Sequence, residues 1–325
     1  MATKIEISHR TIIFTLVLLL GLWVLLQIRD IIFLLFISFI LMAALRPVVD
    51  WLERFRLPRI ISILLIYFLV FGVFGISVAG TIPTLVAQST RLIQVFPSVV
   101  ERVLPYWNID LKSLSAQIAP LGENVVKLTV SIFSNLVTTL AVLVFTFYFL
   151  LERKHIEDLL TAMFGKETAG NTMTVIRAIE KRLGAWVRGQ LLLMLVIGAA
   201  VYLGLILLKV EFALALGILA GLLEIVPVVG PIMAAIPAVL VALTTSPLLA
   251  LTVVALYFVI QQLENNLLVP LVMRRSVGLS PLVTIVTLMV GGRLAGLVGA
   301  ILSVPVLLVI QEVMGAVLGK SAKEK

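Results

Sequence analysis

The sequence predicts an all-α polytopic membrane protein containing Gly/Pro-broken hairpin segments, and three observations predict it. The chain has 325 residues, 61% hydrophobic and only 13% charged, against roughly 45–50% apolar and about 25% charged in ordinary soluble domains. Uncharged stretches long enough to enter a bilayer recur along its whole length, whereas Lys and Arg gather in the stretches between them. A single soluble core could not hide this much apolar surface, but a bilayer solvates it.

The uncharged stretches run at about 11–28, 31–45, 60–82, 128–151, 190–208 and 248–268. The first is read as a span, because a second apolar segment follows at once and no A-x-A cleavage site intervenes. Residues 31–45 are short for a span, which places Arg46 near the headgroups. Basic residues fall at Arg46, Arg54, Arg56 and Arg59, seven times in 152–188, at Arg274–Arg275, and at Lys320, Lys323 and Lys325. With the positive stretches and both termini in the cytoplasm of an inner-membrane protein, the order of spans is self-consistent.

That order requires two more segments to enter and leave on one side. Residues 212–245 carry Glu224, Pro227, Gly230 and Pro231, and residues 281–316 carry Gly291, Gly292 and Arg293. Both are expected to be broken hairpins entering from opposite faces, the pattern that marks substrate sites in secondary transporters. The alternative is two pairs of short, tilted full spans. Residues 83–127 hold Pro83, Pro97, Pro105 and Pro120 and read as a small extracytoplasmic helical region. Residues 152–189 read as a cytoplasmic amphipathic region. Within it Ile176, Ile179, Leu183 and Trp186 recur at helical spacing with Arg177, Lys181, Arg182 and Arg188 between them, so a helix lying on the inner membrane surface is expected. Residues 1–325 thus form one transmembrane domain.

Three constellations are candidates for a polar path. Gln261, Gln262, Glu264, Asn265 and Asn266 cover more than half of a helix end. Such a face belongs against protein, water or a permeant, where it can bind a cation, accept a proton or hydrogen-bond a polyol. Glu224 follows Gly217 and Gly221 at helical spacing and precedes the Pro227–Gly230–Pro231 break, where backbone groups are freed. Next to Gly291, the residues Gly292, Gly296 and Gly299, four and three apart, make a face with almost no bulk, suited to close packing. Arg293 beside them should pair with Glu224, Glu264 or Glu312. A structural amide network, or a tight hairpin with an ion pair, is the bland alternative for each. Gln190, Gln311 and Glu312 are lesser candidates.

Other classes find little support. There is no cysteine, so no disulfide and no thiolate ligand. The two histidines, His9 and His155, lie outside the apolar segments. No P-loop occurs and no Asp pair is embedded, so neither catalysis nor a cofactor nor a metal centre is expected. The net charge of +8 is assigned to anionic lipid headgroups, not to nucleic acid.

GLLEIVPVVGPIMAAIPAVLVAL (221–243), QQLENNLLVPLVMRRSVGLSPLV (261–283), GGRLAGLVGAILSVP (291–305), RPVVDWLERFRLPR (46–59) and VRGQ (187–190), in this order and spacing, resemble the autoinducer-2 exporter family. The resemblance implies about eight transmembrane helices, assembly into homo-oligomers, pentamers by analogy, and transport as the activity. The family's members look like exporters of the furanone autoinducer-2 or like sodium(lithium)/proton antiporters. Where the family often has Tyr and His, this chain has Val228 and Ser280. The sequence therefore predicts a secondary transporter exporting a small polar molecule such as autoinducer-2. A cation/proton antiporter and a non-transporting scaffold remain the alternatives.

Overall fold

The computed structural model describes residues 9–70, 72, 136–227, 229–273 and 280–319. The expected extracytoplasmic region 83–127, Val228, Arg274–Arg275 and the basic tail lie outside the described residues. Everything described is helix or short connection, with no strand. In chain order the helices are α1 (His9–Gln27), α2 (Arg29–Glu53), α3 (Arg59–Val70), α4 (Leu136–Leu151), α5 (Arg153–Leu207), α6 (Ala213–Leu223), α7 (Val229–Thr245), α8 (Pro247–Leu263), α9 (Val269–Met273) and α10 (Pro281–Val317). A single π-helical turn, Glu264–Leu268, joins α8 to α9. Among the described residues, Arg29–Glu53, Glu157–Leu207, Pro247–Val272 and Leu282–Val317 are long and apolar enough to cross a membrane. Large apolar side chains cover the outside, Phe68, Leu195, Leu251 and Leu294 among them. A lipid-solvated surface has this character.

The long helix α5 organises the fold, packing against α2, α6, α8, α9 and α10. It bends at Gly165, whose φ of 78° and ψ of 162° interrupt the helical geometry. The stretch from 166 to 207 is roughly 60 Å long at 1.5 Å per residue, twice the hydrocarbon core of a bilayer. The amphipathic segment 171–188 and the span 190–208 are thus one continuous helix. This corrects the expectation of a surface-lying helix. Ile179, Leu183 and Trp186 are buried against Ile40 and Ala43 of α2 and Leu302 and Leu308 of α10. The apolar stripe is covered by protein.

A second cluster joins α5 to the α6–α7 pair and α8 through Ile197, Val201, Leu216, Ala234, Val241 and Val253. A third joins α2, α3 and α4 through Met42, Val49, Ile63 and Leu150. Hydroxyls on these helices bond to backbone carbonyls of their neighbours, which satisfies them without water. Ser38 Oγ donates to Val142 O at 3.2 Å, Thr146 Oγ1 to Ser38 O at 3.3 Å, and Tyr67 OH to Leu143 O at 2.8 Å.

Both predicted breaks are reversals of the chain. Helices α6 and α7 have 11 and 17 residues. These are about 16 and 25 Å, each short of a roughly 30 Å hydrocarbon core. Helix α10 is interrupted at Ala295 (φ −141°, ψ 27°) and Gly296 (φ 59°, ψ −142°). A Cβ added at Gly291 would collide with the Gly299 carbonyl and lie 2.8 Å from Ser303 Cβ. In one unbroken helix Gly291 and Gly299 would be about 12 Å apart. The two arms of α10 therefore fold back on each other.

Ion pairs fasten α5 near its middle. Arg46 NH1 of α2 meets the buried Glu180 carboxylate at 2.5 Å, and Arg182 NH1 meets Glu312 Oε1 of α10 at 2.9 Å. Arg182 also donates to Gln311 Oε1 at 2.8 Å. Arg46→Ala should destabilise the fold by about 3 kcal/mol, because it strips the main counter-charge from a buried carboxylate. Thermal unfolding in detergent checks this, and Arg46→Leu/Glu180→Leu should recover much of the loss.

Candidate functional site

The two carboxylates embedded in the apolar segments come together. Glu224 is 1% and Glu264 4% exposed, and their side chains are within hydrogen-bonding contact of each other. Each sits where its helix gives out. Glu224 is the C-cap of α6, at the head of the turn leading to Pro227 and α7. Glu264 is the C-cap of α8 and the first residue of the π turn. A π turn replaces regular α-helical bonding with wider loops and is frequent at functional sites. Here Val269 N donates to Glu264 O.

The surroundings fix the pair from two sides. Gln190 of α5 is buried, and its Nε2 donates to the Glu224 carbonyl oxygen at 2.7 Å. That bond occupies a carbonyl that the end of α6 would otherwise leave open. Gln261 Nε2 donates to Glu264 Oε2 at 3.1 Å. Glu224 Oε2 is fully buried and meets no donor among the described residues. An ionised carboxylate offers acceptors only, so the contact between these two groups calls for a proton or another cation.

Close backbone packing brings Glu224 to this place. A Cβ on Gly221 would lie 2.6 Å from Met194 O, and one on Gly217 2.6 Å from Tyr202 Cβ. Gly198 of α5 presses on both glycines, with 3.3 Å from its added Cβ to Gly221 Cα. Side chains any larger would lift α6 off α5 and carry Glu224 away from Gln190. Gly230, half a turn into α7, is equally confined, because a Cβ there would strike the Leu223 carbonyl. Pro227 and Pro231 flank it and are partly exposed.

Other residues singled out from the sequence are placed elsewhere. Gln262, Asn265 and Asn266 are exposed, with Asn266 Nδ2 donating to Gln262 O at 2.9 Å. Five polar residues spread over more than half of a helix cannot all face inward, and the fold turns in Glu264 and Gln261. Arg293 does not pair with Glu224, Glu264 or Glu312. It is exposed just before the reversal of α10 and forms no ion pair with a described residue. Glu224 and Glu264 have each other, and Glu312 has Arg182. Gly291 and Gly299 meet across the α10 hairpin, whereas Gly292 has only Ala300 Cβ at 3.9 Å and Gly296 has open space. Ser280 caps α10, its Oγ accepting from Val283 N at 3.4 Å. Gly198 and Tyr257 were not apparent as candidates from sequence. Gly198 sits in an ordinary apolar run, and Tyr257, buried on α8 with its hydroxyl lacking a described hydrogen-bond partner, looks like any core aromatic.

Among the described residues no cluster of His, Cys, Asp and Glu could hold a metal ion by number. A cavity of about 380 Å³ opens between α5 and α6 and is lined by Met194, Gly198, Tyr202, Leu214, Gly217 and Gly221. Its lining is predominantly apolar and includes neither Glu224 nor Glu264.

Comparison with known proteins places the chain. Residues 12–319 match the family described as AI-2E family transporter. "Putative transport protein YrrI" of Bacillus subtilis is 30% identical over 297 residues, covering 86% of this chain and 83% of that protein. "Putative transport protein YueF" of the same organism is also 30% identical, over 300 residues, covering 85% and 81%. A protein of Halobacillus andaensis named "Sodium-lithium/proton antiporter" is 24% identical over 299 residues, covering 82% and 84%. The chain belongs to the AI-2E transporter family, and it is a membrane transporter.

Proposed function

We propose that this chain is a proton-coupled secondary transporter whose exchange site is the Glu224–Glu264 pair, and that a monovalent cation is the ion exchanged against the proton. The observation that carries this reading is the contact of two buried carboxyl groups at the two points where helices break. Such a pair can hold one proton between its oxygens, or release it and hold one monovalent cation. Either occupant brings the same charge, so each can displace the other at little electrostatic cost. The Halobacillus relative carries a name of this kind.

The second reading is outward transport of a small polar molecule such as autoinducer-2. The exposed amides of Gln262, Asn265 and Asn266 favour it, since they can hydrogen-bond the hydroxyls of such a cargo. Those amides, and a helix α1 whose described side chains are all exposed, also suit assembly into a homo-oligomer, a pentamer by family analogy. We place the protein in the inner membrane with both termini in the cytoplasm, following its basic loops.

Sealed proteoliposomes separate these readings. A sodium pulse should change internal pH in vesicles containing the wild-type chain and in no others. Release of loaded autoinducer-2 without a sodium-driven pH change would overturn the antiport reading in favour of the exporter. Silence in both would favour a non-transporting scaffold.

A further inference from the structure

Four arginines surround the turn from α2 to α3, and the fold sorts them into two kinds. Arg46 is taken up by Glu180 and by Asp50 at 3.3 Å. Arg59 is taken up by Glu53 at 3.0 Å, Asp50 at 3.7 Å and the Leu150 carbonyl at 2.7 Å. These contacts use both acidic residues of the turn. Arg54 and Arg56 are exposed and form no ion pair with a described residue. Arg56 adopts φ 63°, and its N–H donates to Glu53 O at 3.0 Å, so it belongs to a tight turn that closes the end of α2.

Beside these two arginines runs an exposed apolar stripe. Val48, Trp51 and Phe55 follow at three- and four-residue spacing along one side of α2, at 42%, 54% and 62% exposure. The rings of Trp51 and Phe55 meet edge to face, 4.9 Å between centroids. Aromatic rings at the end of a membrane helix sit at headgroup depth, and an arginine fork matches phosphate oxygens in two-point geometry.

We propose that this corner is a binding site for an anionic phospholipid, with Arg54 and Arg56 on the headgroup phosphate and Trp51 and Phe55 at the boundary with its acyl chains. The stripe selects a lipid over free phosphate, because only a lipid has an apolar part to cover it. The two uncompensated positive charges select an anionic headgroup over a zwitterionic one, which brings its own ammonium.

The test uses the full chain in vesicles containing phosphatidylglycerol and phosphatidylcholine in equal amounts, with bromine on the acyl chains of one or the other. Bromine close to an indole quenches its fluorescence. The chain has four tryptophans, so Trp51→Phe measures the contribution of the other three. Quenching of Trp51 by brominated phosphatidylglycerol should exceed that by brominated phosphatidylcholine at least about twofold. Arg54→Gln/Arg56→Gln should remove the difference while the chain stays folded, since neither arginine holds a described protein group. Equal quenching by the two lipids in wild type, or a preference that survives in the double variant, would overturn the proposal.

Discussion

Glu264→Gln is expected to reduce transport by roughly 100-fold or more while the chain stays folded. The substitution keeps the size of the side chain and the acceptor for Gln261 Nε2. It removes the capacity to exchange a proton. It also places an amide donor beside Glu224, whose Oε2 otherwise meets no donor among the described residues. Thermal stability should therefore be unchanged or slightly raised, so loss of flux cannot be put down to unfolding. Glu224→Gln should behave alike, and the double variant should be no worse than either single one, because the two carboxyls act as a unit. Flux and unfolding measured on the three variants check this. A Glu264→Gln chain that transports normally would remove the pair from the mechanism.

Gly299→Leu should cost about 3 kcal/mol or more, the upper range for overpacking, and should unfold the α10 hairpin first. Even a Cβ at Gly299 would strike the Gly291 carbonyl and lie 2.9 Å from Ala295 Cβ, so the arms must part. Two neighbouring glycines serve as internal comparisons. Gly296→Ala meets no atom within 4 Å but imposes a side chain on a φ of 59° with ψ of −142°, at a cost of about 1–3 kcal/mol. Gly292→Ala meets only Ala300 Cβ at 3.9 Å and should be nearly neutral. Unfolding temperatures in detergent should fall in the order Gly292→Ala, Gly296→Ala, Gly299→Leu from mildest to worst. Equal tolerance of all three would contradict the folded-back geometry.

Much of the helical plan is readable in the sequence because bilayer physics is local. A run of apolar residues without charge states a membrane helix directly, and Pro or Gly within such a run states a break. Glu224 and Glu264 could each be recognised as embedded carboxylates on these grounds. Their contact could not, because they are far apart in the chain and meet only once α6 has folded onto α5 through Gly198, Gly217 and Gly221. Electrostatic pairing rules pointed instead to Arg293 as a partner. The reversal at Ala295–Gly296 leaves that residue exposed.

The stripe Ile179–Leu183–Trp186 illustrates a second limit. Its spacing is the same whether it faces lipid or other helices. Only the arrangement of α2 and α10 around α5 decides that it faces protein. The glycines of α10 show a third. Their spacing suggested a single smooth face, yet Gly291 and Gly299 serve a close approach and Gly296 a backbone conformation closed to most residues.

The central claim is that the Glu224–Glu264 pair exchanges a proton for a monovalent cation. Its most direct test follows internal pH in sealed proteoliposomes after sodium is added outside, with wild type and Glu264→Gln reconstituted at equal density. A rapid alkaline shift of the interior in wild type, as entering sodium drives protons out, that is absent from Glu264→Gln is the predicted result. The same shift in both, or in neither, would contradict it.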